Sequence, residues 1–320
     1  MEISQRLLNE RIQFLYNRNY SENTIQNYTL DLKLFVNFLK IENKVFSVSM
    51  ENITQKNIES RKTYLANVKT PKNSIYYQKK STISPATIQS KITAIKSFLK
   101  FMNLIYEMGI DYRKIETKRI KSDYIECIND TEFWELMDYV EKTEKYKINA
   151  LRSELLINIG YTSWLRLSEI LSLKVGEIEK GETRIIGKGN KARWVFFTPS
   201  TKNILERYII ERENPIPRTG KVERKSDFAF ISHNSWYDFW NPIRKNTICE
   251  IMKRYSDGLN IGKRITVHCL RHSYATKLLE SGMNIREIQE LLWHCDIQTT
   301  ENYCHVLKSN LKEKVNKIFI

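Results

Sequence analysis

From Ile3 to about Met108 the apolar residues recur at helical spacing. Ile25, Tyr28, Leu32, Phe35 and Leu39 form one stripe; Ile88, Ile92, Ile95, Phe98, Leu99 and Met102 form another. Positions three and four apart share a face on an α-helix and not on a strand, so these runs predict helices that bury one side. The start signals agree. Ser21 stands ahead of the first stripe, and Ser84-Pro85 supplies the second with a capping hydroxyl and a proline whose fixed φ suits the first helical position. Residues 1–110 therefore read as a helical bundle of roughly four members.

The pattern breaks between Ile110 and Ser122, where Arg113, Lys114, Lys118, Arg119 and Lys121 stand against Asp111 and Glu116. Residues 111–124 read as a basic linker. Such a linker can track a phosphate backbone, and a solvated hinge explains it equally well. Residues 125–320 read as a second domain, whose Asp130-Thr131-Glu132 opening suits a helix N-terminus. Two β-rich runs, Thr183–Ile186 and Arg193–Phe197, flank Gly187-Lys188-Gly189-Asn190-Lys191 and predict a hairpin. Tyr274, Ala275, Leu278 and Leu279 share a helical face that stops at Gly282, a residue free to take a left-handed cap. Asn284, with Glu287 three positions on, starts another helix through Ile285, Ile288, Leu291 and Leu292. The fold class is mainly α, with a small sheet in the C-terminal half.

Composition narrows the partners. The 320 residues are 41% hydrophobic and 28% charged, enough for two cores. A net charge of +15 favours a polyanion, because each Lys or Arg seated on a phosphate releases counterions. Nucleic acid leads; an anionic membrane surface and a merely solvated basic surface are the rivals. No run approaches the ~18 apolar residues of a membrane span, and MEISQRLLNERIQ lacks the blocks of a signal peptide, so a cytoplasmic protein without a membrane role is expected. Cys127, Cys249, Cys269, Cys295 and Cys304 are scattered and free of CxxC pairing, and read as reduced thiols rather than a disulfide framework or a zinc site.

Four pieces of the second half gather cations, imidazoles and a phenol: Leu165-Arg166-Leu167-Ser168-Glu169, Gly187-Lys188-Gly189, His268-Cys269-Leu270-Arg271-His272, and Trp293-His294 followed by Tyr303. The string HCLRHSYATKLLESGMNIREIQELLWHCDIQTTENYCHV resembles the signature of the tyrosine recombinase (phage integrase, Xer-like) family: His-x-x-Arg, a later His, and a Tyr nine residues beyond it. LRLSEILSL resembles the segment around the family's first arginine, and IIGKGNKAR the hairpin that carries its lysine. More loosely, SENTIQNYTLDLKLFVNFL and SPATIQSKITAIKSFLKFM resemble its helical DNA-clamping domain, so the likeness spans nearly the whole chain. It implies a C-shaped clamp of two domains, a SAM-like bundle and a catalytic domain, closing on double-stranded DNA. The implied assembly is a homotetramer, or a heterotetramer with a related recombinase, with an accessory DNA translocase as a further partner. A tail with Val306, Leu307, Leu311, Val315 and Ile318 at helical spacing would dock on a neighbouring subunit; an amphipathic helix packed on its own domain is the alternative.

The same resemblance assigns roles that physical chemistry makes intelligible. Attack of a tyrosine oxygen, here that of Tyr303, on a DNA phosphodiester builds charge on the non-bridging oxygens, which two guanidiniums, Arg166 and Arg271, can bind bidentately. Lys188 would protonate the leaving 5′ oxygen. A phenol of pKa near ~10 is a poor nucleophile at neutral pH, so His268 is the expected base and His294 the phosphate donor. Glu169 is expected to orient an arginine, or to be a surface glutamate. A phosphotyrosine conserves the energy of the broken bond, so no metal, cofactor or ATP is expected.

Two tryptophans depart from the family's usual glycines, Trp164 before Leu165-Arg166 and Trp293 before His294. A positive φ at either would strain the backbone beside a catalytic residue. Two other readings therefore stand beside the recombinase: a catalytically degenerate DNA-binding regulator, and an enzyme of the type IB topoisomerase kind.

Overall fold

The computed structural model describes residues 2–68, 83–115, 126–187, 192–213, 226–233 and 241–292. The chain divides into two compact units, Met1–Ser122 and Asp123–Ile320.

In the first unit the predicted stripes are buried faces. Among the described residues it contains four α-helices: α1 (Gln5–Asn17), α2 (Glu22–Glu42), α3 (Gln55–Asn67) and α4 (Pro85–Tyr106). Each begins the same way. Ser4, Ser21, Thr54 and Ser84 present a side-chain oxygen to the backbone N–H three residues on, at 3.2–3.3 Å, satisfying a donor that the first turn leaves without a helical partner. Leu32, Phe35 and Leu39 of α2 meet Phe98, Leu99 and Met102 of α4 in one core. Full burial of each such side chain contributes about 1.5–3 kcal/mol. Arg11 is buried in this unit, donating to the Ala94 carbonyl at 3.3 Å and lying over the rings of Phe98 and Tyr28. The start of the basic segment is tied to the bundle: Ile115 is buried in its core and its carbonyl accepts from Lys96 Nζ at 3.1 Å. Arg113 and Lys114 stay exposed beside Asp111, at 3.6 and 3.7 Å. Lys118, Arg119 and Lys121 lie outside the described residues.

The second unit is organised around one enclosed helix, α6 (Lys147–Thr162), which follows α5 (Asp130–Thr143). From Ala150 to Tyr161 every residue of α6 is buried, Arg152 and Glu154 included. A helix buried on all sides has no polar face, so its periodicity is weak in the sequence. Asn129 and Glu132 cap α5 reciprocally, each side chain accepting the other's backbone N–H at 2.9 Å. Short helices α7 (Leu167–Ser172) and α8 (Val175–Lys180) then lead to the hairpin β1 (Glu182–Ile186) and β2 (Ala192–Phe196). The strands pair antiparallel from Glu182↔Phe196 to Ile186↔Ala192, as the β-rich runs predict. Thr183, Arg193 and Val195 point inward, whereas Arg184, Ile186, Trp194 and Phe196 face outward. Helices α9 (Pro199–Glu213), α10 (Lys245–Leu259), α11 (Val267–Glu280) and α12 (Ile285–Leu292) follow among the described residues.

Helices α9, α11 and α5 pack around α6. Its contact with α11 is close because residue 160 is glycine: a Cβ there would stand 3.1 Å from Leu270 Cδ1. Helix α11 is capped by Thr266, whose side chain accepts from Cys269 N at 3.0 Å, and it ends at Gly282 with φ +85°, as expected. Asn284 caps α12 through Arg286 N, and Glu287 accepts from Asn284 N, both at 3.0 Å. Among the described residues no helix is long and apolar enough to cross a membrane.

Candidate active site

Glu169 is the centre of the arrangement. As the third residue of α7 it accepts the backbone N–H of the N-cap residue Arg166 at 2.7 Å, the return half of a capping box. That places its carboxylate where three guanidiniums reach it. Arg166 donates through Nη1 at 3.1 Å, and Arg193, from the inward face of β2, donates through Nη2 at 2.6 Å and Nη1 at 3.3 Å. Arg271 of α11 adds an ion pair at 3.8 Å. Arg193 and Arg271 are nearly enclosed, with side chains 5% and 6% exposed, and Glu169 is 12% exposed; Arg166 is open at 53%. The enclosed pair builds the wall, and Arg166 is the guanidinium presented outward.

The electrostatics follow from this geometry. Burial works to raise the pKa of Glu169, but the hydrogen bonds from Arg193 and from Arg166 N outweigh it and hold the carboxyl below its usual range. Glu169 is thus ionised at neutral pH. One negative charge facing three positive ones leaves a surplus that suits an anion such as a phosphate diester.

His268 stands in the first turn of α11 and Arg271 one turn later, so helical spacing puts both on one face. Burial, then the positive charges of Arg271 and Arg166, push the His268 imidazole below its ordinary value. At neutral pH it is an uncharged proton acceptor. His272, one turn beyond, meets it Nε2 to Nε2 at 2.8 Å.

Trp164 has no left-handed backbone, so the strain that would follow from a positive φ does not arise there. Its ring packs with Ala275, Leu279 and Ile288, and the Arg271 guanidinium carbon lies 3.9 Å from its centroid. Its carbonyl accepts from Arg193 Nη2 at 3.1 Å.

The structure thus brings together Arg166, Glu169, His268 and Arg271 from two separated segments, and Arg193 joins them from a third. Lys188, His294, Tyr303 and Trp293 lie outside the described residues, as does the tail from 305 to 320. Arg193 is the member that the motifs pass over as a mere neighbour of Lys188. A signal for its burial, though not for its partner, existed: it stands two positions before Val195 on a strand, hence on the inward face. His233 is structural, hydrogen-bonded through Nε2 to the buried Tyr208 hydroxyl at 2.8 Å.

Comparison with known proteins agrees with the layout. Residues 126–310, more than half of the chain, match the Phage integrase family, and residues 12–105 match the Phage integrase N-terminal SAM-like domain. The chain is 28% identical over 311 residues to tyrosine recombinase XerD of Listeria monocytogenes, covering 96% of each protein. It is 27% identical to tyrosine recombinase XerC of Leptospira interrogans, over 99% of this chain and 95% of that one. Its fold is similar to that of the XerH site-specific recombinase bound to palindromic difH substrate, with a TM-score of 0.61, 22% identity, and coverage of 92% of this chain and 78% of that one.

Proposed function

Since the chain belongs to the phage integrase family and is a tyrosine recombinase of the Xer type, we propose that it cuts and rejoins double-stranded DNA at specific sites through a 3′-phosphotyrosine on Tyr303. The observation that carries this reading is the convergence of Arg166, Arg193 and Arg271 on the single carboxylate of Glu169, with neutral His268 on the same helix face as Arg271. A scissile phosphate supplies the missing anion.

In the proposed step the Tyr303 oxygen attacks phosphorus and its proton passes to His268. A new P–O bond to tyrosine forms as the bond to the 5′ oxygen breaks, and Lys188 protonates the departing 5′ oxygen to give the free hydroxyl. Arg166 and Arg271, with His294, hold the non-bridging oxygens as charge builds on them. Rejoining reverses each transfer with a different 5′ hydroxyl, so the phosphodiester energy is conserved and no ATP enters. Glu169 holds the arginines in place, and Arg193 is the buried tie that fixes Glu169. Exchange between two duplexes requires four active chains, hence a tetramer on two sites.

The test uses a nicked suicide substrate carrying a candidate recombination site. Wild type forms an SDS-resistant protein–DNA adduct and Tyr303→Phe forms none. An adduct that survives the substitution, or wild-type binding without any adduct, defeats the proposal and leaves a DNA-binding regulator.

A further inference from the structure

Helical spacing puts His268, Arg271 and His272 on one face of α11, and a single side chain from outside that helix, Trp164, touches two of the three. The Arg271 guanidinium covers its ring, and the His272 ring stands nearly perpendicular to it, with centroids 5.8 Å apart and planes at 79°. Trp164 is itself held firmly. It is buried against Ala275, Leu279 and Ile288, and its carbonyl is tied to Arg193. A tryptophan present for packing alone would have aliphatic neighbours on its faces; here one face carries a cation.

We infer that Trp164 and His272 are positioning residues for this site: Trp164 seats Arg271 on its face and fixes the His272 ring, and His272 holds His268 through the Nε2–Nε2 hydrogen bond. The inference rests on the strand-transfer reading above, in which Arg271 binds phosphate and His268 takes the tyrosine proton.

The hydrogen count on that contact gives it chemical content. Two imidazole nitrogens 2.8 Å apart share one hydrogen, so one ring donates and the other accepts. When His268 donates, its base is Nδ1, and the imidazolium formed by proton uptake still donates Nε2–H to a neutral His272. His272 then does for His268 what a carboxylate does for the histidine of a hydrolase triad, fixing tautomer and orientation without adding a charge. Among the described residues, the charges facing His268 are Arg271 on its own helix and Arg166 at the start of α7, with Glu169 between them. An acceptor that stays neutral keeps the base in its working tautomer beside an anionic phosphate.

The experiment has two arms on the full-length chain. In the first, ¹⁵N-imidazole NMR of the DNA-free protein reads the His268 tautomer: wild type shows one, His272→Ala shows a mixture, and His272→Gln, which keeps an acceptor, restores much of the preference. In the second, adduct formation on the suicide substrate is followed against pH, with binding of the same site measured alongside. Trp164→Leu slows cleavage about tenfold without weakening binding, while Trp164→Phe, which keeps an aromatic face, stays within about threefold of wild type. His272→Ala slows cleavage and moves the acid limb of its pH profile; His272→Gln recovers part of the rate. The inference is overturned if His272→Ala leaves tautomer and pH profile unchanged, or if Trp164→Leu cleaves at the wild-type rate. Should Trp164→Leu fold poorly, the Phe variant and the two His272 variants decide. Absence of any wild-type adduct would sink the strand-transfer reading itself, while the NMR arm still judges the positioning.

Discussion

The core of the first unit and the Glu169 cluster of the second bury arginines in opposite ways. In the first, Arg11 is 2% exposed with its guanidinium on aromatic faces and a backbone carbonyl, and Arg61 lies over Phe38 and Tyr64. Burial lowers the Arg11 pKa to about 10, the mark of a cation that has lost water and gained only soft partners. In the second, Arg193 and Arg271 are as deeply placed but share Glu169, which is held ionised between them. A lone guanidinium on aromatic rings is a packing element. Several around one carboxylate form a charge reservoir, whose surplus is available to a ligand.

Four measurements break or sharpen that contrast. Glu169→Ala leaves Arg193 buried without its carboxylate and should cost about 3–5 kcal/mol of stability in the second unit, measured by denaturant unfolding. A loss below ~1 kcal/mol would mean the cluster is not a coupled ion network. Arg166→Ala should behave otherwise. Its side chain is half exposed, so stability changes by less than ~1 kcal/mol while the adduct rate falls roughly 10²–10³-fold.

His233 tests burial of a base near positive charge. Burial, then Arg152 and Arg212, push its pKa down to about 2, below that of the unfolded chain. As pH falls below the ordinary histidine range the unfolded state gains a proton that the folded state refuses. Stability of the second unit therefore declines on acidification from pH 6.5 downward, by up to about 1.4 kcal/mol per pH unit from this one group. His233→Gln should flatten that slope between pH 6.5 and 4.5, the interval above the carboxylate titrations, in unfolding curves taken at several pH values. The smallest effect is expected at Arg11→Met, which exchanges one filler on Phe98 for another and should leave the first unit within about 1 kcal/mol of wild type by thermal unfolding. A large loss there would erase the distinction between Arg11 and the Glu169 cluster.

Much of this is legible in the sequence alone. The stripes of α2 and α4 announced the first core because one-sided burial writes a period of three to four into the chain. The hairpin, the glycine stop of α11 and the asparagine start of α12 are local signals, decided by a few backbone torsions. Helix α6 was not legible, since burial on all sides removes the polar face that reveals a helix. At the site, Arg166, His268 and Arg271 stood out through their motifs, whereas the role of Arg193 and the cation on Trp164 did not. Both depend on which side chains meet across three separate segments, and spacing along a chain does not encode that.

The seat of Leu270 against Gly160 reaches further than packing. Leu270 lies between His268 and Arg271 on the same helix, so whatever shifts that leucine carries the imidazole and the guanidinium together, as one body. A single methyl added at residue 160 would press on α11 and move both side chains along one vector, leaving their mutual spacing intact while shifting them relative to Glu169. Gly160 is in that sense a gauge block, and the register of the proposed site is set from the side of α11 that faces the core.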